Sequence, residues 1–156
     1  QIYDARPYLS ALANKANGKG FEDTKNYRNC EIAFMQIENI HHVRDSLKKL
    51  FAICHNPDLI NRKWYSQLEG SDWLDMISYI LTAGLACAQN LLSGKNCLVH
   101  CSDGWDRTAQ ISGIAQILLD PYFRTIEGIM VLIEKEFLSY GFQAQLRLGL
   151  GPSKEK

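Results

Sequence analysis

Apolar residues recur at two different periods along the chain, and the change of period predicts a strand followed by a helix. Residues 32–37 alternate loosely between apolar and polar positions, which favours a strand. From Asn39 onward the apolar residues fall on one helical face, and Asn56-Pro57 should end that helix because proline disfavours helical geometry before it. The predicted buried stripe comprises Ile40, Val43, Leu47, Leu50, Phe51 and Cys54.

A longer helix is predicted after Ser71-Asp72, a pair that suits a helix N-cap. Ser93-Gly94 should end it. The apolar run at residues 97–99 is typical of a buried central strand, which would lead the chain to His100-Cys101. The predicted buried stripe of this helix comprises Trp73, Ile77, Leu81, Leu85, Ala88 and Leu92.

Two further helices are predicted beyond residue 107. The first should start near Thr108 and end before Pro121, and the second should run over residues 124–140, with Gly141 as its terminator. A strand, a loop and a helix are therefore predicted around Cys101. The predicted inward residues are Ile111, Ile114, Ala115 and Leu118 in the first helix, and Ile126, Ile129, Ile133 and Phe137 in the second.

Composition and charge narrow the class of protein. A chain of 156 residues with 46% apolar content can bury one sizeable core, so we expect a single domain over residues 1–156. Seventeen residues of each charge give no global field for nucleic acid, so no nucleic-acid partner is expected. No apolar run approaches the ~20 residues of a transmembrane segment, and the first residues lack a signal-peptide pattern. These features predict a soluble, intracellular protein.

The five cysteines are predicted to be reduced. They are an odd number, and no pair has the C-x-x-C spacing of zinc or redox sites. In an extended strand the thiols of Cys97 and Cys101 would lie roughly 13 Å apart, too far for a disulfide, which argues against a redox protein. Cys97, Cys30, Cys54 and Cys87 are interpreted as small core residues.

Cys101 and Arg107 are separated by five residues, between an apparent strand and an apparent helix. A loop of this length can curl so that its backbone N–H groups surround a phosphate at the positive end of the helix, and Gly104 eases the turn. The helix terminus and a nearby cation favour the thiolate of Cys101, the nucleophilic form. Arg107 offers a planar fork for two phosphate oxygens.

A leaving alkoxide needs a proton, and Asp103 and Asp106 both lie inside this loop. We favour Asp106 because it adjoins Arg107, although Asp103 stays open as the donor. Thr108 or Ser102 could donate a hydrogen bond to the sulfur. His100 is expected to be structural, because its position in the strand points it away from Cys101.

The string VHCSDGWDRT at residues 99–108 resembles the signature of the myotubularins. Similar strings occur along nearly the whole chain: IYDARP, ALANKA, IENIH, RDSLKKL, LLDPYFRTIEG and EKEFLSYG. The resemblance implies a protein-tyrosine-phosphatase-like α/β fold, with a central sheet flanked by helices and the C-x5-R phosphate loop between a strand and a helix. Because the family's phosphatase domain is longer and usually follows a PH-GRAM domain, residues 1–156 are expected to be part of one; neither PH-GRAM domain nor coiled coil is visible.

The implied activity is removal of the 3-phosphate from phosphatidylinositol 3-phosphate and from phosphatidylinositol 3,5-bisphosphate through a phosphocysteine, without metal or cofactor. By position, Cys101 is the implied nucleophile, Arg107 the phosphate binder and Asp106 the general acid. The remaining implied substrate-binding loop residues are Ser102, Asp103, Gly104 and Trp105. The implied partner is a phosphoinositide head group at a membrane surface. The implied location is the cytoplasm, with the protein peripheral at endosomal membranes. An oligomer of the chain with itself or with a related phosphatase is left open.

Three weaker correspondences place Asn14, Asn39 and Arg147 near the head group. From the sequence alone, Asn14 could equally turn the chain, Asn39 could cap a helix, and Arg147 could be a surface charge. After Gly141 the family usually has histidine, a basic residue and phenylalanine, whereas this chain has FQA. The missing charge predicts weaker discrimination in favour of the bisphosphate. Asn17 also replaces a commonly basic residue.

Two other functions compete with the lipid phosphatase. A catalytically inactive phosphoinositide-binding scaffold is one, although inactive relatives commonly lose the loop cysteine or arginine and both are present here. A protein-tyrosine or dual-specificity phosphatase is the other. Two aspartates and a tryptophan in the loop argue against it, since they suit hydrogen bonding and packing against an inositol ring.

Overall fold

A computed structural model describes residues 1–16, 18–55 and 63–148 of the chain. Three strands are present in this part: β1 (Ile2–Asp4), β2 (Ile32–Phe34) and β3 (Leu98–His100). The α-helices are α1 (Tyr8–Ala16), α2 (Ile40–Cys54), α3 (Trp64–Glu69), α4 (Trp73–Leu92), α5 (Arg107–Leu119), α6 (Ile126–Ile133) and α7 (Ala144–Arg147). Shorter turns are the 3-10 segments Thr24–Asn26 and Pro121–Arg124 and the π-helical turn Glu134–Leu138.

The three strands form one parallel sheet in the order β2-β1-β3. Tyr3 in the middle of β1 is opposite Ala33 in β2 and Val99 in β3. Parallel neighbours need crossover connections, and here these contain α1 between β1 and β2 and the helices α2, α3 and α4 between β2 and β3. The predicted α/β class is thereby confirmed.

One face of the sheet packs against α4 and α5. Tyr3, Ala83, Cys87 and Ile111 are buried together there, and Val99 lies against the same cluster. Alternation along a strand sends Asp4, Phe34 and His100 to the opposite face. On that face the ring of Phe34 contacts those of Tyr8 and Phe21.

Helix α5 lies close against α4 because small residues line the contact. A Cβ atom at Gly84 would collide with the side chain of Ile114, so any larger residue would push α5 outward. Since α5 begins at Arg107, this contact fixes the arginine relative to the sheet. The three parallel strands also end in register, at Asp4, Phe34 and His100. The segments that follow the strands therefore all start at the carboxyl end of the sheet.

Most predicted boundaries agree with the structure. Helix α4 starts at Trp73, where Ser71 Oγ accepts the backbone N–H of Trp73, whereas the side chain of Asp72 makes no cap bond. Helix α2 ends at Cys54; the predicted stop at residues 56–57 lies outside the described residues, as does Asn17. The strand predicted over residues 32–37 ends at Phe34.

The buried stripes were predicted wrongly for several helices. In α4 the exposed fractions of Ile77, Leu81 and Leu85 are 40–49%, because almost every face of this helix is apolar and the small residues determine which face packs closely. Its buried residues are Met76, Ala83, Gly84, Cys87 and Ala88. Other predicted core residues that are exposed are Phe51, Cys54, Leu92, Leu98, Leu118, Ile126 and Ile133. The strand predicted to be central, β3, lies at the edge of the sheet in the described residues.

The helix predicted over residues 124–140 is helical from Ile126 to Leu138, with a change from α-helical to π-helical geometry after Ile133. Thr125 Oγ1 accepts the N–H of Gly128 and starts α6, and after Ile133 the chain continues in the π-helical turn. Gly141 follows with a φ of +80°, in agreement with the predicted stop. None of the helices in the described residues is long and apolar enough to cross a membrane.

Candidate active site

The loop between β3 and α5 turns back on the side chain of Cys101. The N–H of Gly104 donates to Cys101 Sγ at 3.3 Å, and Thr108 Oγ1 donates to the same atom at 3.2 Å. Gly104 has a φ of +88°, a conformation that favours glycine. The loop therefore places hydrogen-bond donors around a half-buried sulfur.

These donors change the ionisation of the thiol. Burial raises the pKa of Cys101, but the hydrogen bond from Thr108 Oγ1 and those from the backbone N–H groups of Gly104, Asp103 and Thr108 together lower it below its ordinary value. Such bonds favour the charged form because they stabilise the thiolate more than the thiol. The surroundings of Cys101 therefore favour the thiolate, which is the nucleophilic form of cysteine.

Thr108→Val should raise the pKa of Cys101, because it removes a donor to the sulfur and keeps the shape of the side chain. The pKa of this thiol is lowered in the folded protein, so its thiolate persists at lower pH than an ordinary cysteine's. The variant should shift the alkylation rate of Cys101 by iodoacetamide to higher pH, measured by mass spectrometry of the peptide containing Cys101. Thr108→Ser keeps the hydroxyl and is the control; equal profiles for all three proteins would refute the role of Thr108.

The four other cysteines are free thiols. Burial raises the pKa of Cys87 to about 11. Cys97 lies against the core, as expected, and its Sγ is 3.8 Å from the carbonyl oxygen of Cys87. Cys54 is exposed, which contradicts its predicted burial, and Cys30 is half-buried.

Arg107 is held from two sides of the loop. Its Nη2 donates to Ser102 Oγ at 3.1 Å, and its Nη1 donates to the carbonyl oxygen of Ile37 at 3.2 Å. The first partner belongs to the loop and the second to the segment after β2. These bonds fix the plane of the guanidinium beside the loop that contains Cys101.

Asp106 and Arg147 form a two-pronged ion pair. Arg147 Nε donates to Asp106 Oδ1 at 2.9 Å, and Nη2 donates to Oδ2 at 2.7 Å. The hydrogen bond to Asp106 raises the pKa of Arg147. The side chain of Arg147 is only 14% exposed, so it is not an ordinary surface charge. Asp106 occupies the N-cap position of α5 and makes no side-chain cap bond; both of its oxygens accept from Arg147.

A cluster of charged residues, which includes a buried ion pair, lies on the face of the sheet opposite the core. Arg6 Nη2 donates to Asp4 Oδ2 at 2.6 Å, and both residues are buried. His100 Nε2 lies 2.9 Å from Glu22 Oε2 and 3.9 Å from Asp4 Oδ2. His100 therefore points away from Cys101, as predicted. Asp4, Arg6 and Glu22 were not predicted; the signal for the first two was a pair of opposite charges at the carboxyl end of β1.

The other predicted substrate-binding residues differ in the elements to which they belong and in their burial. Asn39 Oδ1 accepts the N–H groups of His41 and His42, so the N-cap interpretation of this residue is confirmed. Asn14 lies within α1 and is half-buried. In the loop, Asp103 is exposed and Trp105 is half-buried.

A cavity of about 920 Å³ lies apart from this loop. Its lining includes the segment after the Thr24–Asn26 turn and the residues around the amino ends of β1 and β3. Loop residues 101–107 do not contribute to it. The groups around Cys101 therefore lie outside this cavity.

Comparison with known proteins gives concordant results. The sequence profile described as the myotubularin-like phosphatase domain matches residues 1–156. The chain is 48% identical to myotubularin of Xenopus laevis over 151 residues, covering 96% of this chain and 25% of that protein. It is 50% identical to the phosphatidylinositol-3,5-bisphosphate 3-phosphatase MTMR2 of Mus musculus over 151 residues, covering 96% of this chain and 23% of that protein.

A third relative is the phosphatidylinositol-3-phosphate phosphatase MTMR7 of Mus musculus, 47% identical over 151 residues, which cover 95% of this chain and 23% of that protein. The chain thus spans about a quarter of the length of the curated relatives that it matches.

Proposed function

Because the chain belongs to the myotubularin-like phosphatase domain family, we propose that it is part of a phosphoinositide 3-phosphatase. The substrates would be phosphatidylinositol 3-phosphate and phosphatidylinositol 3,5-bisphosphate, which the names of its relatives specify for those proteins. The proposed fold is that of the protein-tyrosine-phosphatase-like enzymes, with residues 101–107 as the phosphate loop of one phosphatase domain.

The observation that supports this function best is the arrangement around Cys101 Sγ. The sulfur receives hydrogen bonds from Gly104 and Thr108, and the guanidinium of Arg107 is bound to Ser102 of the same loop. A stabilised thiolate next to a planar cation at a helix N-terminus suits attack on a phosphate ester. Ser102, Asp103, Gly104 and Trp105 would surround the phosphate and the inositol ring.

The proposed reaction has two steps. The Cys101 thiolate attacks phosphorus, a new S–P bond forms, and the P–O bond to the inositol carbon's oxygen breaks. The released inositol oxygen takes a proton from the general acid. In the second step the deprotonated acid takes a proton from water as the water oxygen attacks phosphorus, the S–P bond breaks, inorganic phosphate leaves, and both the thiolate and the acid are regenerated. Arg107 would hold two phosphate oxygens throughout and stabilise the charge of both transition states.

Asp106 is the general acid in this proposal, with Asp103 as the alternative. Both oxygens of Asp106 accept from Arg147, so Asp106 would have to leave this ion pair before it could carry a proton. A substrate phosphate that attracts Arg147 would release Asp106 from the ion pair. Arg147 would thereby act as a substrate-binding residue. Asn14 and Asn39 complete the proposed contacts with the head group, and Asn39 would use its side-chain NH₂ group, because its Oδ1 caps α2.

We place the enzyme in the cytoplasm at the surface of endosomal membranes, where these lipids would be presented to it. The proposal does not depend on whether the chain acts alone or bound to itself or to a related phosphatase. The phosphate-release assay distinguishes this function from that of a catalytically inactive lipid-binding scaffold, which is the second candidate.

The function is tested by phosphate release from phosphatidylinositol 3-phosphate, its 4- and 5-phosphate isomers, the 3,5-bisphosphate and a phosphotyrosine peptide. Release confined to the two 3-phosphorylated lipids is the expected result. Release mainly from the peptide would indicate a tyrosine phosphatase. If the folded chain binds the lipids and releases nothing, the scaffold is the better interpretation. Short, water-soluble acyl chains keep the assay independent of membrane recruitment.

A further inference from the structure

The backbone after β2 contains a kink that the proposed mechanism does not use. Met35 N–H donates to the carbonyl of Asp4 at 2.8 Å, and Ile37 N–H donates to the carbonyl of Ala5 at 2.9 Å. Between these two bonds the segment after β2 advances by two residues, while the chain at the end of β1 advances by one. This is the pattern of a β-bulge, and Gln36 is the extra residue. Gln36 has a φ of +58°, in the left-handed region that residues other than glycine seldom adopt.

The kink determines where the next peptide group points. Ile37 is 2% exposed, so its side chain is anchored in the core between the sheet and the helices. With the side chain fixed and the N–H bound to Ala5, the carbonyl oxygen of Ile37 is directed at Arg107 Nη1, 3.2 Å away. This is the contact that holds the arginine on the side opposite Ser102.

Gln36 itself is exposed, and its side chain makes none of the hydrogen bonds found in the described residues. Its backbone conformation, rather than its side chain, is therefore what the site requires. Strained backbone persists where the surrounding structure enforces it, and bulges are common beside active sites, where they re-aim a neighbouring group.

We infer that Gln36 is a positioning residue: its left-handed backbone aims the Ile37 carbonyl at Arg107 and thereby sets the orientation in which the guanidinium receives phosphate. The inference rests on the proposed function only in requiring that the loop bind phosphate. It predicts that the left-handed conformation at position 36 matters and that the glutamine side chain does not. Glycine should thus serve at this position, whereas a β-branched residue should not.

The test compares Gln36→Gly with Gln36→Val. Glycine adopts a positive φ freely, whereas valine in that region is strongly disfavoured and should turn the Ile37 carbonyl away. The measurement is protection of Cys101 from iodoacetamide by inorganic phosphate, resolved by mass spectrometry. Gln36→Gly should protect as well as the parent chain, and Gln36→Val should need about tenfold more phosphate, the scale of effect expected when one hydrogen bond to a charged group is weakened.

Asn29 provides a matched control, because it is exposed and has a φ of +59°. Asn29→Val introduces the same kind of strain elsewhere and should leave phosphate protection unchanged. In an Arg107→Ala background, Gln36→Val should cause no further loss, since the kink acts through that arginine. The pH profile of Cys101 alkylation without phosphate should not move, because the hydrogen bonds to the sulfur are intact.

Four results would overturn the inference: protection in Gln36→Val equal to that of the parent chain, the same loss in Asn29→Val, a loss in Gln36→Gly, or no protection of the parent chain by phosphate. Gln36→Ala, which is less strained than valine, replaces it if the valine variant is not folded by circular dichroism, with a smaller loss expected. Phosphate protection without lipid hydrolysis would refute the proposed function and leave this inference standing.

Discussion

Cys101→Ser is expected to abolish turnover of phosphatidylinositol 3-phosphate while lipid binding persists. The substitution removes the nucleophile but little volume, and the donors from Gly104 and Thr108 can bond to a hydroxyl as they bond to the sulfur. A serine hydroxyl lacks the low pKa of this thiol, so we expect a loss on the order of 10⁴-fold or more, as when nucleophiles of other covalent enzymes are removed. Phosphate release and vesicle binding measure the two properties separately.

Cys97→Ser is the matched control for this prediction. Cys97 lies just before β3, against the core, and its thiol donates to the carbonyl oxygens of Cys87 and Lys95, which are not among the groups that bond to Cys101. It should retain full turnover apart from a modest loss of stability. Undiminished turnover by Cys101→Ser would exclude a phosphocysteine intermediate, and equal loss in both variants would point to damage of the fold.

The order of elements could be predicted from the sequence because local signals mark their ends. Asn39 caps α2 and Pro121 follows the end of α5, each for a reason that acts within a few residues. The position of Cys101 between a strand and a helix followed from the same signals. The spacing of Cys101 and Arg107 then indicated the chemistry.

The buried faces could not be predicted because the helices are apolar on more than one side. In α4, Leu81 and Leu85 look like core residues, yet Ala83 and Gly84 are buried, since only small side chains allow α5 to approach. Periodicity records which residues are apolar, and it contains no information on how closely two helices pack.

The supporting contacts of the site were also beyond local patterns. The pair of Asp106 and Arg147 joins residues 41 positions apart, and the bond from Arg107 to Ile37 spans 70. The left-handed Gln36 has no sequence signal, because glutamine is not a residue that prefers this conformation. Such features arise from the folded chain as a whole.

Arg107→Lys should lose most activity although it keeps the positive charge. The guanidinium bonds Ser102 and Ile37 through two different nitrogens, which leaves its plane fixed beside the loop. A lysine ammonium is a point charge on a flexible stem and cannot reproduce both bonds together with a two-pronged contact to phosphate. We expect kcat/KM to fall about 10²- to 10³-fold, the range seen when one preorganised transition-state donor is removed.

Arg124→Lys is the matched control, because Arg124 Nη1 donates to the carbonyl oxygen of Ile117 at the opposite end of α5 from the loop. It tests the cost of exchanging an arginine for a lysine away from the site, and its kcat/KM should stay within about twofold of the parent chain because changes away from such a site are usually small. Parent-like kinetics in Arg107→Lys would show that charge alone suffices, and the fixed fork would then have no part in catalysis. A selective loss in Arg107→Lys, with thermal unfolding unchanged, would show that the planar guanidinium, oriented by its bonds to Ser102 and Ile37, contributes to catalysis beyond its positive charge.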